Sequence, residues 1–277
     1  MRRPFADQST SRLAVMSGRL VLFALLVAGL SVIIVRANLL EIVPALTTFA
    51  AALILAAIAV VIAFAAFVAI WRTGLGGLGQ AISGLLIGSL LLAYPAYLGY
   101  RAYQLPAIAD ITTDPANPPR FDVTARLRPR GTNDYPGGAT SERQRAAYPE
   151  ITPLQLGVPP KTAYEAALAI VTQRKWRVVD ARAPGPGRRD GTIEAVARTP
   201  IMAFRDDVVI RVSVLGNGSR IDVRSASRYG THDFGTNAAR VRSLLDDIEE
   251  AIGTAPEPKP EPAKKPQPGA KRPSTKR

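Results

Sequence analysis

The stretch "DDVVIRVSVLGNGSRIDVRSAS", Asp206–Ser227, decides the fold. Side chains two apart on an extended chain share a face, so Val208, Ile210, Val212, Val214, Ile221 and Val223 form one apolar row. The alternate positions Arg211, Ser213, Arg220, Asp222 and Arg224 are polar. The "GNGS" between the two halves is turn chemistry. The halves therefore read as neighbouring antiparallel strands, with one face for a core and a polar face towards water or a ligand.

Working outward, "GTIEAVART" from Gly191 extends both rows, with Ile193, Ala195 and Ala197 on the apolar side and Glu194 and Arg198 on the polar side. "WRVVDAR" from Trp176 is a further strand, separated from it by the Gly-rich "PGPGRRDG". Before the strands, "KTAYEAALAIVTQRK" spaces Ala163, Ala166, Ala167, Ile170 and Val171 as one helical face, with Thr162 as its cap. After them, "TNAARVRSLLDDIEEAI" places Val241, Leu244, Leu245, Ile248 and Ile252 on a stripe, capped by Thr236 or Asn237. The order helix, four strands, helix predicts a soluble α+β domain over 153–252: a four-stranded antiparallel sheet with two helices on its apolar face.

The amino-terminal part obeys other rules. Between Leu20 and Tyr100 nearly every residue is Leu, Ala, Ile, Val or Gly, and a bilayer core needs roughly 20 apolar helical residues. The fold class is thus an α-helical membrane anchor of three transmembrane helices, about 13–36, 45–71 and 76–100 (together the membrane domain 1–100), joined to the α+β domain. Gly84 and Gly88 in "GLLIG" let a neighbouring backbone approach, and Pro95 is expected to kink the third span. "GLGGLG", Gly74–Gly79, matches a dinucleotide-binding pattern but follows a membrane span rather than a strand, and reads as an interhelical turn. Arg2, Arg3, Arg12, Arg19 and Arg72 outweigh Arg36 and Arg101. By the positive-inside rule the amino terminus is cytoplasmic and the carboxy-terminal domain periplasmic, in a bacterial inner membrane. "MRRPF" resembles a twin-arginine leader, but no small-x-small cleavage site follows, so the first span is read as an uncleaved anchor.

Residues 101–152 are proline-rich, hence an extended linker or a strap laid over the domain, and 253–277 is a disordered Pro/Lys-rich tail. The absence of cysteine excludes disulfides, zinc–thiolate sites and thiol nucleophiles. A net charge of +13 directs attention to anionic partners. The partners expected are the lipid bilayer and, beyond it, an anionic lipid headgroup, a glycan or an envelope protein. The outside location and the lack of an aromatic stacking row argue against nucleic acid.

The candidate site is "RSASRYGTHDFGTNAARV", Arg224–Val241, together with Asp206 and Asp207. Four readings compete. Ser225 or Ser227 with His232 and an aspartate would imitate a hydrolytic triad, but no nucleophile-elbow sequence surrounds either serine. Asp206, Asp207, His232 and Asp233 have ligand chemistry, but adjacent aspartates at a strand start face opposite ways, so at most one of that pair faces a shared site; no metal is expected, and no cofactor. Arg224, Arg228 and Arg240 with Ser225 and Ser227 would cradle a phosphate or carboxylate. In the fourth reading the aspartates pair with Arg224 or Arg228, while Asp233 and Asn237 satisfy the turn and cap the helix.

"AFRDDVVIRV" followed by "IDVRSASRYGTHDFGTNAARV" resembles the domain-of-unknown-function family numbered 1499, found in bacterial envelope proteins and plastids; the resemblance covers about Pro153 to Ile252. It rests on Phe204, Asp206, Asp207, Arg224, Ser225, Ser227, Arg228, Gly230, Asp233, Gly235, Asn237 and Arg240. Many members carry a Cys-Pro…Asn-Cys element upstream, replaced here by "TTDPANPPRF". The resemblance implies a membrane-anchored envelope protein and supplies no activity. The sequence-based expectation is a non-enzymatic binding or interaction module with an anion-binding polar surface; the alternative is a hydrolase or metal-dependent enzyme using the Ser/His/Asp cluster.

Overall fold

The computed structural model describes residues 9–39, 42–128, 138–187 and 189–254. Arg2 and Arg3, used for orientation, lie outside the described residues, as does the tail from 255 to 277.

Helices α1 (Arg12–Arg36), α2 (Ile42–Thr73) and α3 (Leu78–Gln104) are each long and apolar enough to cross a bilayer. Their contacts use small residues, as expected where apolar burial gains nothing over lipid and close approach must do the work. On α2 the inward positions are Ala45, Ala52, Ala56, Ala59, Ala63 and Ala66, while Ile54, Val61 and Phe64 point outward. At Gly88 of α3 an added Cβ would lie 2.5 Å from Val60 Cγ2 and 3.2 Å from the Ala56 carbonyl. Pro44 sits inside the first turn of α2 rather than ahead of it, where a missing N–H costs nothing. Helix α3 continues through Pro95 to Gln104.

The sheet has six strands, which corrects the expected four. The four long ones are β3 (Arg177–Arg182), β4 (Gly191–Arg198), β5 (Arg205–Leu215) and β6 (Gly218–Ser227). To them β1 (Asp110–Thr112) and β2 (Leu154–Leu156) add along one edge of β6, all antiparallel, in the order β1-β6-β5-β4-β3 with β2 also on β6. Strands of three residues in proline-rich chain are too short to display an alternation, so no pattern marks them. The β5–β6 turn is tight: Leu215 pairs with Gly218, and Gly216 takes φ +58, a conformation open to glycine.

Helices α6 (Pro160–Gln173) and α7 (Thr236–Gly253) lie on the apolar face. Val171, Ile193, Ile210, Val212, Ile221, Val223, Val241, Leu244 and Ile248 form one buried core. Val214, expected in the apolar row, is 58% exposed beside the hairpin turn. The cap of α6 is Pro159 with Pro160 in the first turn, not Thr162: proline's fixed φ starts a helix without wasting an N–H.

The opposite face also departs from expectation. Instead of facing water, Glu194, Asp207, Asp222 and Arg224 are buried beneath residues 110–128, which include the single-turn helix α4 (Val123–Arg126). Helix α5 (Gly138–Ala147) then closes the free edge of β1: the Gln144 side-chain amide accepts from Thr112 N and donates to Thr112 O.

Candidate functional site

Strand parity divides the candidate residues between the two faces of the sheet. Asp207, Arg224 and Arg228 point to the covered polar face, and Asp206, Ser225 and Ser227 point to the helices. Two separate networks result.

On the polar face, Asp207 is fully buried between two arginines. Its Oδ1 accepts from Arg228 Nε (3.0 Å) and Nη2 (2.7 Å), and its Oδ2 from Arg128 Nε (2.6 Å). Arg224 makes a two-pronged pair with Asp110, Nε to Oδ1 at 2.9 Å and Nη2 to Oδ2 at 2.7 Å, and donates through Nη1 to the Pro119 carbonyl. The Phe121 ring lies against both guanidinium groups, 4.8 Å from that of Arg128 and 4.7 Å from that of Arg224. Further along, Asp222 takes Arg211 and Arg220.

Glu194 anchors the covering segment. Its carboxylate accepts from the backbone N–H groups of Asp122 (2.9 Å), Val123 (3.1 Å) and Thr124 (2.8 Å) and from the Thr124 hydroxyl (2.6 Å). Burial alone would push this carboxyl up, but the Thr124 hydroxyl and the three amides outweigh it and hold it below the ordinary glutamate value.

On the helix face, Asn237 is the hub. Its Oδ1 accepts from the Ser225 hydroxyl (2.7 Å) and from Arg240 Nη1, while its Nδ2 donates to the Ala109 carbonyl (3.0 Å) and to Ser227 Oγ (2.9 Å). Arg240 also reaches Asp206 through Nη2 at 2.6 Å. The first residue before α7 is Gly235, in the left-handed region at φ +78, rather than Thr236 or Asn237. Asp233 supplies the missing acceptor, taking the N–H of Gly235 (2.9 Å) and of Asn237 (2.6 Å). Burial raises the Asp233 carboxyl above the usual aspartate range, against the lowering effect of those two amides, and the neighbouring Asp206 adds to the rise.

His232 belongs to neither network. Its Nδ1 accepts the Phe234 N–H (2.9 Å), and its Nε2 lies 3.1 Å from the Leu105 carbonyl and 3.3 Å from that of Ala102, at the end of α3. Arg101 of α3 donates to the Phe234 carbonyl at 2.9 Å. A second seam joins the β4–β5 connection to the other two helices. Arg36 donates to the carbonyls of Pro200 and Ile201, Arg205 donates to Asn38 Oδ1, and Met202 is buried against Val35 and Ala45. The domain is thus bolted to the helix ends at two places.

Asp110, Phe121, Arg128 and Glu194 are the organising residues that sequence reasoning did not place in the site. Glu194 carried a signal, since alternation set it on the polar face. Asp110 starts the three-residue β1, and Phe121 and Arg128 lie in irregular chain, where nothing local reveals a partner.

Residues 110–248 match the model of a family described as "Protein of unknown function (DUF1499)". The match starts at β1 rather than near 153, so it takes in the segment that covers the polar face. No curated protein matches the chain. Among solved structures, CalU16 from Micromonospora echinospora is similar at 15% identity, over 37% of this chain and 74% of that one, with a TM-score of 0.25. TTHA0849 from Thermus thermophilus is similar at 14% identity, over 36% of this chain and 94% of that one, with a TM-score of 0.21. Likenesses at these scores carry no argument about the chain.

Proposed function

We propose for this chain, which belongs to the DUF1499 family of proteins of unknown function, the role of a membrane-anchored, non-catalytic envelope module. Its three helices cross a bacterial inner membrane from a cytoplasmic amino terminus, and its antiparallel domain stands in the periplasm as a binding or interaction surface. An odd number of crossings puts the start of α1 and the domain on opposite sides, and the arginine bias supplies the direction.

The observation that carries the non-catalytic part is the mutual saturation of the polar cluster. Arg224, Arg228 and Arg240 each rest on a carboxylate of this chain. Ser225 and Ser227 are bonded to Asn237, and both nitrogens of His232 are engaged by backbone groups of Leu105 and Phe234. A hydrolase needs a nucleophile in hydrogen-bond reach of a base, and a metal site needs converging ligands; here Asp206 and Asp207 turn to opposite faces, each towards arginine. The cluster's work is to hold residues 110–128 and α7 on the sheet. Recognition of an anionic lipid headgroup, a glycan or an envelope protein then falls to cations without an internal partner.

Paired reporter fusions after Gln104 and after Thr254, one active only in the periplasm and one only in the cytoplasm, test this placement. Periplasmic activity at both positions is the expected result. Cytoplasmic activity at both would overturn the orientation and return soluble cytoplasmic partners to consideration.

A further inference from the structure

The sheet's arginines fall into two groups. Arg182, Arg211, Arg220 and Arg224 each face a carboxylate. Arg177 of β3, Arg198 of β4 and Arg205 of β5 have no carboxylate partner among the described residues, and all three lie at one end of the sheet: Arg198 is opposite Arg205, and Arg177 is opposite Val196 on the same face. Lys175 precedes them, also without a carboxylate, held at φ +56 in the turn that enters β3.

Arg174, Lys175, Trp176, Arg177, Val196 and Arg198 line one cavity of about 390 Å³. Arg174 is committed to Asp247 at 2.6 Å and stacks on the Trp176 ring at 5.3 Å. Lys175, Arg177 and Arg198 remain, all exposed. Arg205 nearby is pushed below its ordinary value chiefly by burial, with Arg198, Arg228 and Arg177 adding to the effect. Elsewhere on this sheet such a cluster is neutralised by neighbouring carboxylates; here no carboxylate among the described residues does so, which leaves these cations open to an anionic ligand.

The cavity stands at the membrane end of the domain. Pro200, two residues after Arg198, accepts from Arg36 at the end of α1, and Met202 packs on Val35 and Ala45. Two residues of extended chain span at most about 7 Å, and the headgroup layer on each side of the hydrocarbon is roughly 5–8 Å deep. Arg198 therefore lies within about a headgroup's depth of that contact, and Lys175 and Arg177 on the neighbouring strand can extend long side chains towards the same layer, while Trp176, packed on the domain core, lines the cavity beside them.

Resting on the membrane-anchored part of the function proposed above, and not on its orientation, we propose that this cavity binds the phosphate group of an anionic phospholipid headgroup from the membrane that holds the chain. Two guanidinium forks and one ammonium supply donors for a phosphodiester's acceptor oxygens and a surplus of positive charge that favours an anionic over a zwitterionic lipid. The site differs from the Arg224–Arg240 cluster, whose cations are already paired.

The test uses the full chain carrying Trp71→Phe. Trp71 is 83% exposed and the chain has two tryptophans, so this change leaves packing intact and Trp176 as the sole indole. The protein is placed in nanodiscs of phosphatidylcholine alone or with a fifth of phosphatidylglycerol, and Trp176 emission is followed. The expected result is an emission shift that depends on phosphatidylglycerol, is reversed by high salt, and is lost when Lys175→Gln, Arg177→Gln and Arg198→Gln are combined. Each removed cation weakens lipid affinity roughly fivefold, on the order of a hundredfold for the three. No dependence on phosphatidylglycerol, or a dependence that survives the triple substitution, overturns the proposal. An equal response to millimolar inorganic phosphate in neutral nanodiscs overturns the lipid as the source. The reporter fusions read orientation separately, so failure there leaves this outcome interpretable.

Discussion

Asp110 and Arg224, 114 positions apart in sequence, meet in a two-pronged ion pair that fastens β1 and the segment behind it to the neighbouring strand β6. Both are nearly buried. A buried pair of this kind adds little net stability over apolar packing, but leaving one partner alone is costly, so it specifies where the covering segment lies.

Glu194 is the second fastening, and its behaviour with pH follows from its donors. A carboxyl held below its ordinary value stabilises the fold fully above the ordinary glutamate range and loses that contribution as pH falls through the depressed folded value. Glu194→Gln keeps one acceptor but turns an NH₂ towards backbone donors. At neutral pH the loss is expected at about 1.5–3 kcal/mol. Chemical denaturation of the full chain as a function of pH checks this: the gap between wild type and variant narrows in acid.

Asp233 has the opposite sign. Its carboxyl is raised by burial, so folding stability declines as pH rises from the ordinary aspartate range through the folded value. Asp233→Asn retains an acceptor for the start of α7 and removes that pH dependence. Asp233→Ala removes the acceptor as well and is expected to be less stable than the Asn variant by about 1 kcal/mol. Parallel melts of the two variants separate capping from charge.

The helix bundle makes its own prediction. At Gly88 a side chain would meet Val60 and the backbone of Ala56, which cannot withdraw. Gly88→Leu is expected to cost about 1–3 kcal/mol by overpacking, read as a lowered melting temperature in detergent. Gly99, with nothing within 4 Å of an added Cβ, is the control: Gly99→Ala leaves the melting temperature unchanged or raised.

Much of this architecture is legible from residues. Alternation in β4, β5 and β6 announces both faces of the sheet, and the stripe Val241, Leu244, Ile248 announces α7. The opposed directions of Asp206 and Asp207 also follow from parity alone. What parity does not reveal is what lies over the polar row. The sequence offers Arg224 either as an anion-binding cation or as paired with Asp206 or Asp207; its actual partner Asp110 stands in a three-residue strand within proline-rich chain, too short for periodicity to reveal. The same gap turned Glu194 into a surface residue and made β1 and β2 invisible. Local patterns specify faces; pairings between distant, aperiodic segments are decided only when the chain closes on itself.

Whether the arginine cluster is framework or binding site is decided by a double-mutant cycle on Asp110→Asn and Arg224→Gln in the full chain. Each single change should destabilise by about 3–5 kcal/mol. The double variant should lose less than the sum, with a coupling of about 0.5–3 kcal/mol. Unchanged melting temperatures in both single variants, or costs that simply add, would contradict the account and restore Arg224 as a cation available to a ligand.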